Sequence, residues 1–191
     1  MKGESSMASF TGIRLARLAL AFAASVACAC AFAQGLADEE RDWNVAAPTG
    51  LTTGPYHAPT PRTLPGIRTV TTRELAELIG NPRPPVLIDV LDGNPHQTLP
   101  NAIWWGGAGH GFADATADGR HQEQFEQKLA QVTKNDKATA VVFFCLSSEC
   151  WLSVNASLRA LRAGYTNVIW YRGGVNAWRM VAMPPSGPSR W

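Results

Sequence analysis

The run Pro85-Val86-Leu87-Ile88-Asp89-Val90 is apolar except at Asp89 and is bounded by prolines before it and Gly93 after it. A strand with one wet face alternates polar and apolar residues, so a continuous run of this length fits a strand covered on both faces. The pattern returns at Ala138–Phe144, and shorter apolar runs stand at Ala102–Trp105 and Asn167–Tyr171. Helical patterns separate them. Thr71-Thr72-Arg73-Glu74 reads as a capping box, with Leu75, Leu78 and Ile79 at helical spacing behind it. Gly80, Pro82, Pro84 and Pro85 stop that helix. His121–Val132 is amphipathic, with Phe125, Leu129 and Val132 on one side. Trp151–Ala163 predicts a helix with Gly164 at the glycine-cap position, and a short helix follows Gly173-Gly174 around Trp178. The glycine-rich stretch 106–119 reads as a long surface loop. Strands alternating with helices predict an α/β fold with a parallel sheet between helical layers.

The N-terminus has a different character. Arg14 and Arg17 precede an apolar run, Leu18–Ala33, that ends in Ala31-Phe32-Ala33. A basic start, a short apolar stretch and a small-residue site have the form of a cleavable secretory signal over residues 1–33. The run has 16 residues, short of the ~20 that a spanning helix needs. Residues 34–67 are rich in Pro, Gly and Thr and read as an extended arm that Trp43 and Tyr56 could pin to a domain at 68–184, with a tail at 185–191. Residues 34–191 carry 14 basic and 14 acidic residues. That balance does not suggest a nucleic-acid or membrane-surface partner. The expected location is the periplasm.

Past the signal-like segment only Cys145 and Cys150 remain. An exported chain meets an oxidising compartment, where a close pair is redox-active or bridged. Cys145 ends an apolar strand and lies just before a helix. Helix N-termini carry unpaired N–H groups and partial positive charge. A loop that aims those groups at the Cys145 sulfur favours a thiolate, the nucleophilic form. Two roles stay open for each cysteine: Cys145 as nucleophile or inert buried residue, and Cys150 as resolving thiol or packing beside Trp151. Asp89 interrupts a buried strand and is expected to be structural, since an unpaired buried carboxylate is costly. His57, His96, His110 and His121 are scattered, read as surface histidines, and do not form a metal motif with the cysteines. No cofactor is expected.

Taken in order, PVLIDV, LPNAIWW, VVFFC, LRAGYTNV and YRGGVNAW resemble the rhodanese-homology pattern over about residues 70–179. CLSSECWLSVNASLRALRAGYTNVIWY and the arm YHAPTPRTLPG are similar to the CxxCW-motif rhodanese-like proteins found beside PQQ-dependent alcohol catabolism. The resemblance implies a rhodanese fold with a central parallel five-stranded sheet. It also implies catalysis at Cys145, cradled by Leu146, Ser147, Ser148, Glu149 and Cys150, with Trp151 beside them. Six loop residues match sulfurtransferases; the related cell-cycle phosphatases carry one more. The implied activity is transfer of sulfane sulfur as a Cys145 persulfide, or thiol exchange, with a sulfur donor or acceptor thiol as partner. A PQQ-dependent dehydrogenase or its cytochrome is a further expected partner, and a non-catalytic accessory module is the competing expectation. One departure bears on substrate. Typical active members end the loop with arginine, where this chain has Cys150, and no Lys or Arg occurs in residues 145–151.

Overall fold

The apolar runs at 85–90, 102–105, 138–144 and 167–171 each hold a strand in the computed structural model, which describes residue 36 and residues 38–181. The signal-like segment, Cys28, Cys30 and the tail at 185–191 lie outside the described residues. The strands are β1 (Arg68–Val70), β2 (Val86–Asp89), β3 (Ile103–Trp104), β4 (Val141–Phe144) and β5 (Val168–Tyr171). The helices are α1 (Thr72–Ile79), α2 (Ala115–Thr133), α3 (Trp151–Arg162) and α4 (Gly174–Met180). All strand pairs are parallel, in the order β1-β5-β4-β2-β3. This is the expected α/β architecture: a five-stranded parallel sheet flanked by helices.

Alternate residues of the central strands feed two cores. Ile88, Phe143 and Trp170 pack on one face with Phe125 and Leu129 of α2 and Val154 of α3. Leu87, Val142, Phe144 and Tyr171 pack on the other with Leu75 of α1 and Trp178 of α4. Both faces of β4 are fully buried, which is why VVFF shows no alternation. Because the strands run the same way, their C-terminal ends share one edge. Thr71, Val90, Cys145 and Arg172 each follow a strand there. The capping box is present: Glu74 N–H donates to Thr71 Oγ1, and Thr71 N–H donates to the Glu74 carboxylate.

Three sequence expectations are corrected. The amphipathic helix expected from His121 is present, but α2 begins six residues earlier, at Ala115, so the latter half of the 106–119 stretch is not wholly loop. The first turns of α2 carry no apolar stripe. They are held by the Asp114 cap on Ala117 N–H and by an ion pair from buried Arg159 to Asp118. Nor does the earlier half lie wholly on the surface. Ala108 is fully buried, and a Cβ on Gly109 would stand 2.0 Å from Leu152 O. This segment is glycine-rich because it presses against α3, and Asn155 Nδ2 donates to Gly109 O at 2.8 Å. The arm also departs from a fully extended path, with residues 38–40 helical.

These contacts rank two substitutions. Gly109→Ala overpacks the α3 contact and should lower the unfolding free energy by more than about 2 kcal/mol. Thr71→Ala removes one cap and should cost about 1 kcal/mol. Urea unfolding of the two variants beside the parent measures both.

Candidate functional site

The cysteine loop is fixed from below by α4. Val175 N–H donates to Cys145 O, and Asn176 N–H donates to Leu146 O, each at 2.9 Å. That approach requires glycine at 174, which has φ +63° and whose Cβ would meet Cys145 O at 2.5 Å. Gly174, Val175 and Asn176 are thus site-building residues that the cysteine pattern did not point to. The Gly173-Gly174 pair was their one signal in the sequence.

Cys145 leaves β4, the chain turns through Leu146, Ser147, Ser148 and Glu149, and Cys150 occupies the N-cap position of α3. Cys145 and Cys150 form a disulfide with their Cα atoms 6.2 Å apart. Both are buried, at 1% and 0% exposure. In this state the site holds a disulfide electrophile rather than a thiolate. Amides expected to face the sulfur have other partners. Glu149 N–H donates to Ser147 Oγ at 3.3 Å, and Trp151 N–H donates to Tyr56 O at 2.9 Å. Ser153 Oγ donates to Cys150 O and accepts from Trp170 Nε1, joining the start of α3 to the sheet.

The Pro-rich arm lies directly on this loop. Ala58 N–H donates to Glu149 O and Thr60 N–H to Ser148 O, both at 3.1 Å. Thr60 Oγ1 donates to Ser148 O at 2.6 Å, and Trp151 Nε1 donates to Pro59 O at 3.2 Å. Tyr56 pins the arm as expected, its hydroxyl accepting from Gly111 N–H at 3.0 Å. Trp43 makes a contact within the arm: the Arg41 guanidinium is 4.1 Å from its ring centroid.

Arg172 anchors the same arm. Its guanidinium donates to Thr60 O at 2.9 Å, Thr60 Oγ1 at 3.2 Å, Glu39 O at 2.9 Å and Arg41 O at 2.7 Å. Arg172 is 1% exposed, and burial pushes its guanidinium down from the ordinary arginine value. It therefore serves the arm and is not presented to the loop as an anion receptor. A cleft of about 140 Å³ beside the loop is lined in part by Asp38, Glu39, Ser147, Ser148 and Glu149. Among the described residues, three carboxylate-bearing residues and no basic residue line it, an unfavourable setting for a dianion. Larger clefts, of about 670 and 620 Å³, lie by α1 and by Trp104 and do not include the cysteines.

Leu146, Ser147, Ser148, Glu149 and Trp151 adjoin the cysteines as the sequence indicated. Asp89 does not touch the loop with its side chain. Fully buried, its carboxylate accepts from Leu91 N–H at 2.9 Å and Thr98 Oγ1, and it pairs with His96 Nε2 at 2.8 Å. Its role is structural, organising residues 91–98. His96 and His110 are not merely surface residues, since each pairs with an aspartate, His110 with Asp92. Among the described residues no group of three His, Cys, Asp or Glu could hold a metal ion.

A family model described as Rhodanese-like domain matches residues 71–180. None of the curated proteins compared with the chain matches it. Similar solved structures include a rhodanese-like domain from Anabaena sp., 16% identical, covering 65% of this chain and 80% of that one at a TM-score of 0.45. Thiosulfate sulfurtransferase from Pseudomonas aeruginosa is 18% identical over 65% of this chain and 21% of its own, at a TM-score of 0.47. The polysulfide-sulfur transferase homodimer from Wolinella succinogenes is 17% identical over 63% and 79%, at a TM-score of 0.41.

Glu39 supplies a pH test of the arm. Its carboxylate accepts from Thr72 N–H and Oγ1, but burial dominates and raises its pKa above the usual carboxylate value. The folded state therefore holds the proton more tightly than the unfolded state. Stability from this group is present below the ordinary carboxylate pKa and is lost as pH rises through the raised one. Urea unfolding between about pH 4 and pH 8 should show Glu39→Gln gaining on the parent as pH rises.

Proposed function

The chain belongs to the rhodanese-like domain family, and on that premise we propose that its working group is the Cys145–Cys150 pair, which exchanges thiols and carries sulfane sulfur. The observation that carries this reading is the disulfide closing the six-residue loop where an anion-binding arginine is absent. An incoming thiolate attacks one sulfur of the pair, a new S–S bond forms, and the other cysteine leaves as thiolate. A second thiol completes the reduction, oxidising the donor by two electrons.

The reduced pair then has a sulfur-handling role. The Cys145 thiolate attacks the terminal sulfur of a persulfide donor, forming a Cys145 persulfide and releasing the donor thiolate. Attack by the Cys150 thiolate on the Cys145 sulfur expels hydrosulfide and restores the disulfide. The two thiols supply the two electrons that reduce sulfane sulfur to sulfide. Thiosulfate is a poor donor in this account, since Glu149 and the acidic cleft oppose a dianion. The proposed setting is the periplasm, with a PQQ-dependent alcohol dehydrogenase or its cytochrome as physiological partner. The leader-like residues 1–33 and the resemblance of the CLSSECW run and arm support that setting. A second reading, a non-catalytic accessory module for the same system, draws on the arm that closes over the loop.

Mass spectrometry of reduced protein treated with polysulfide separates the two readings. The Cys150→Ser variant should retain one added sulfur on Cys145, whereas the parent should release sulfide and regain its disulfide. No added sulfur in the variant and no sulfide from the parent would favour the accessory module.

A further inference from the structure

The arm crosses the disulfide in a defined register. Tyr56–Ala58 runs antiparallel to Glu149–Trp151, with His57 bridged to Cys150. Ala58 N–H bonds Glu149 O and Trp151 N–H bonds Tyr56 O, so the two hydrogen bonds flank the 57/150 pair. A pair flanked in this way is non-hydrogen-bonded, with cross-strand Cα atoms at about 4.5 Å and side chains at their closest. Disulfides need Cβ atoms about 3.5–4.5 Å apart. Position 57 is thus the place on this strand from which a thiol could reach Cys150.

The mode of attachment shows what could occupy the strand. Thr52 is held by Asn155, whose Oδ1 accepts from Thr52 N–H at 3.0 Å and whose Nδ2 donates to Thr52 O at 2.8 Å. Thr60 is held by Arg172. Between these anchors, the bonds from 56–58 to the loop are main-chain bonds that another polypeptide can reproduce. His57 is exposed, while Cys150, paired beside it, is fully buried. The loop thus offers outward a backbone acceptor at Glu149 and a backbone donor at Trp151, in an acidic setting that opposes small dianions.

Resting on the thiol-reactive reading of the pair, we propose that the reacting partner is an extended polypeptide bearing a cysteine. It adds as a strand in place of Tyr56–Ala58 and attacks Cys150. The partner thiol gives its proton to solvent, and its thiolate bonds to Cys150 Sγ. The Cys145–Cys150 bond breaks, and Cys145 departs as thiolate at the end of β4. The arm is the resting occupant of this strand site, so the partner competes with it rather than finding an open pocket.

Register supplies the test. In the full chain, His57→Cys should link position 57 to Cys150 and leave Cys145 free for alkylation, as read by peptide mapping. Ala58→Cys, one residue off and on the opposite side of the strand, should keep the original disulfide. In trans, a peptide of residues 52–61 carrying H57C should form a mixed disulfide at Cys150 about tenfold faster than the same peptide carrying A58C. Retention of the Cys145–Cys150 link in the His57→Cys chain overturns the register. If glutathione opens the pair while both peptides react equally or not at all, strand addition is wrong and thiol exchange stands. If glutathione and both peptides fail to open the pair, both proposals fall.

Discussion

A buried guanidinium holds the outer part of this molecule to the sheet. Arg172 follows β5 and donates to main-chain oxygens of Glu39, Arg41 and Thr60, and to the Thr60 hydroxyl. Burying a charge is costly unless it is fully hydrogen-bonded, so the arm must lie where those oxygens can meet it. Thr60, once fixed, bonds Ser148, and the residues before it are led across Glu149, Cys150 and Trp151. The covering of the cysteine loop follows from the cation that the sheet edge places beneath it.

The covering changes the chemistry expected of a rhodanese loop. The positive charge of Arg172 is used for architecture, and Asp38, Glu39 and Glu149 are among the residues lining the adjoining cleft. On the proposed reading, such a site disfavours thiosulfate and favours neutral or polypeptide thiols. Cys150, where an arginine is usual in the family pattern, closes the loop covalently with Cys145. On the proposed reading, sulfur chemistry there begins with opening a disulfide that a strand of the chain itself covers.

Much of the sheet was legible in the sequence because parallel strands buried on both faces leave unbroken apolar runs, as at Val141–Phe144. The capping box at Thr71 and the glycine stop at Gly164 were equally local signals. The start of α2 was not, since its first turns are held by an aspartate cap and an ion pair to Arg159 from a distant helix. The burial of Ala108 and Gly109 escaped for the same reason: glycine suits a surface turn and a close backbone approach alike. In the site, the cysteine loop could be read as a contiguous unit. The destination of Arg172, the register of the arm on Cys150 and the α4 amides under Cys145 depend on long-range contacts that leave no periodic trace.

The central claim is that the Cys145–Cys150 disulfide is a working group within a folded domain. Titration of the native protein with reduced glutathione tests it directly, with thiols counted by alkylation and mass and folding followed by near-ultraviolet circular dichroism. The account predicts that both cysteines become alkylatable while the folded signal persists, and that the disulfide returns on reoxidation. Opening of the bond only as the folded signal is lost would mark it as a structural staple and contradict the account.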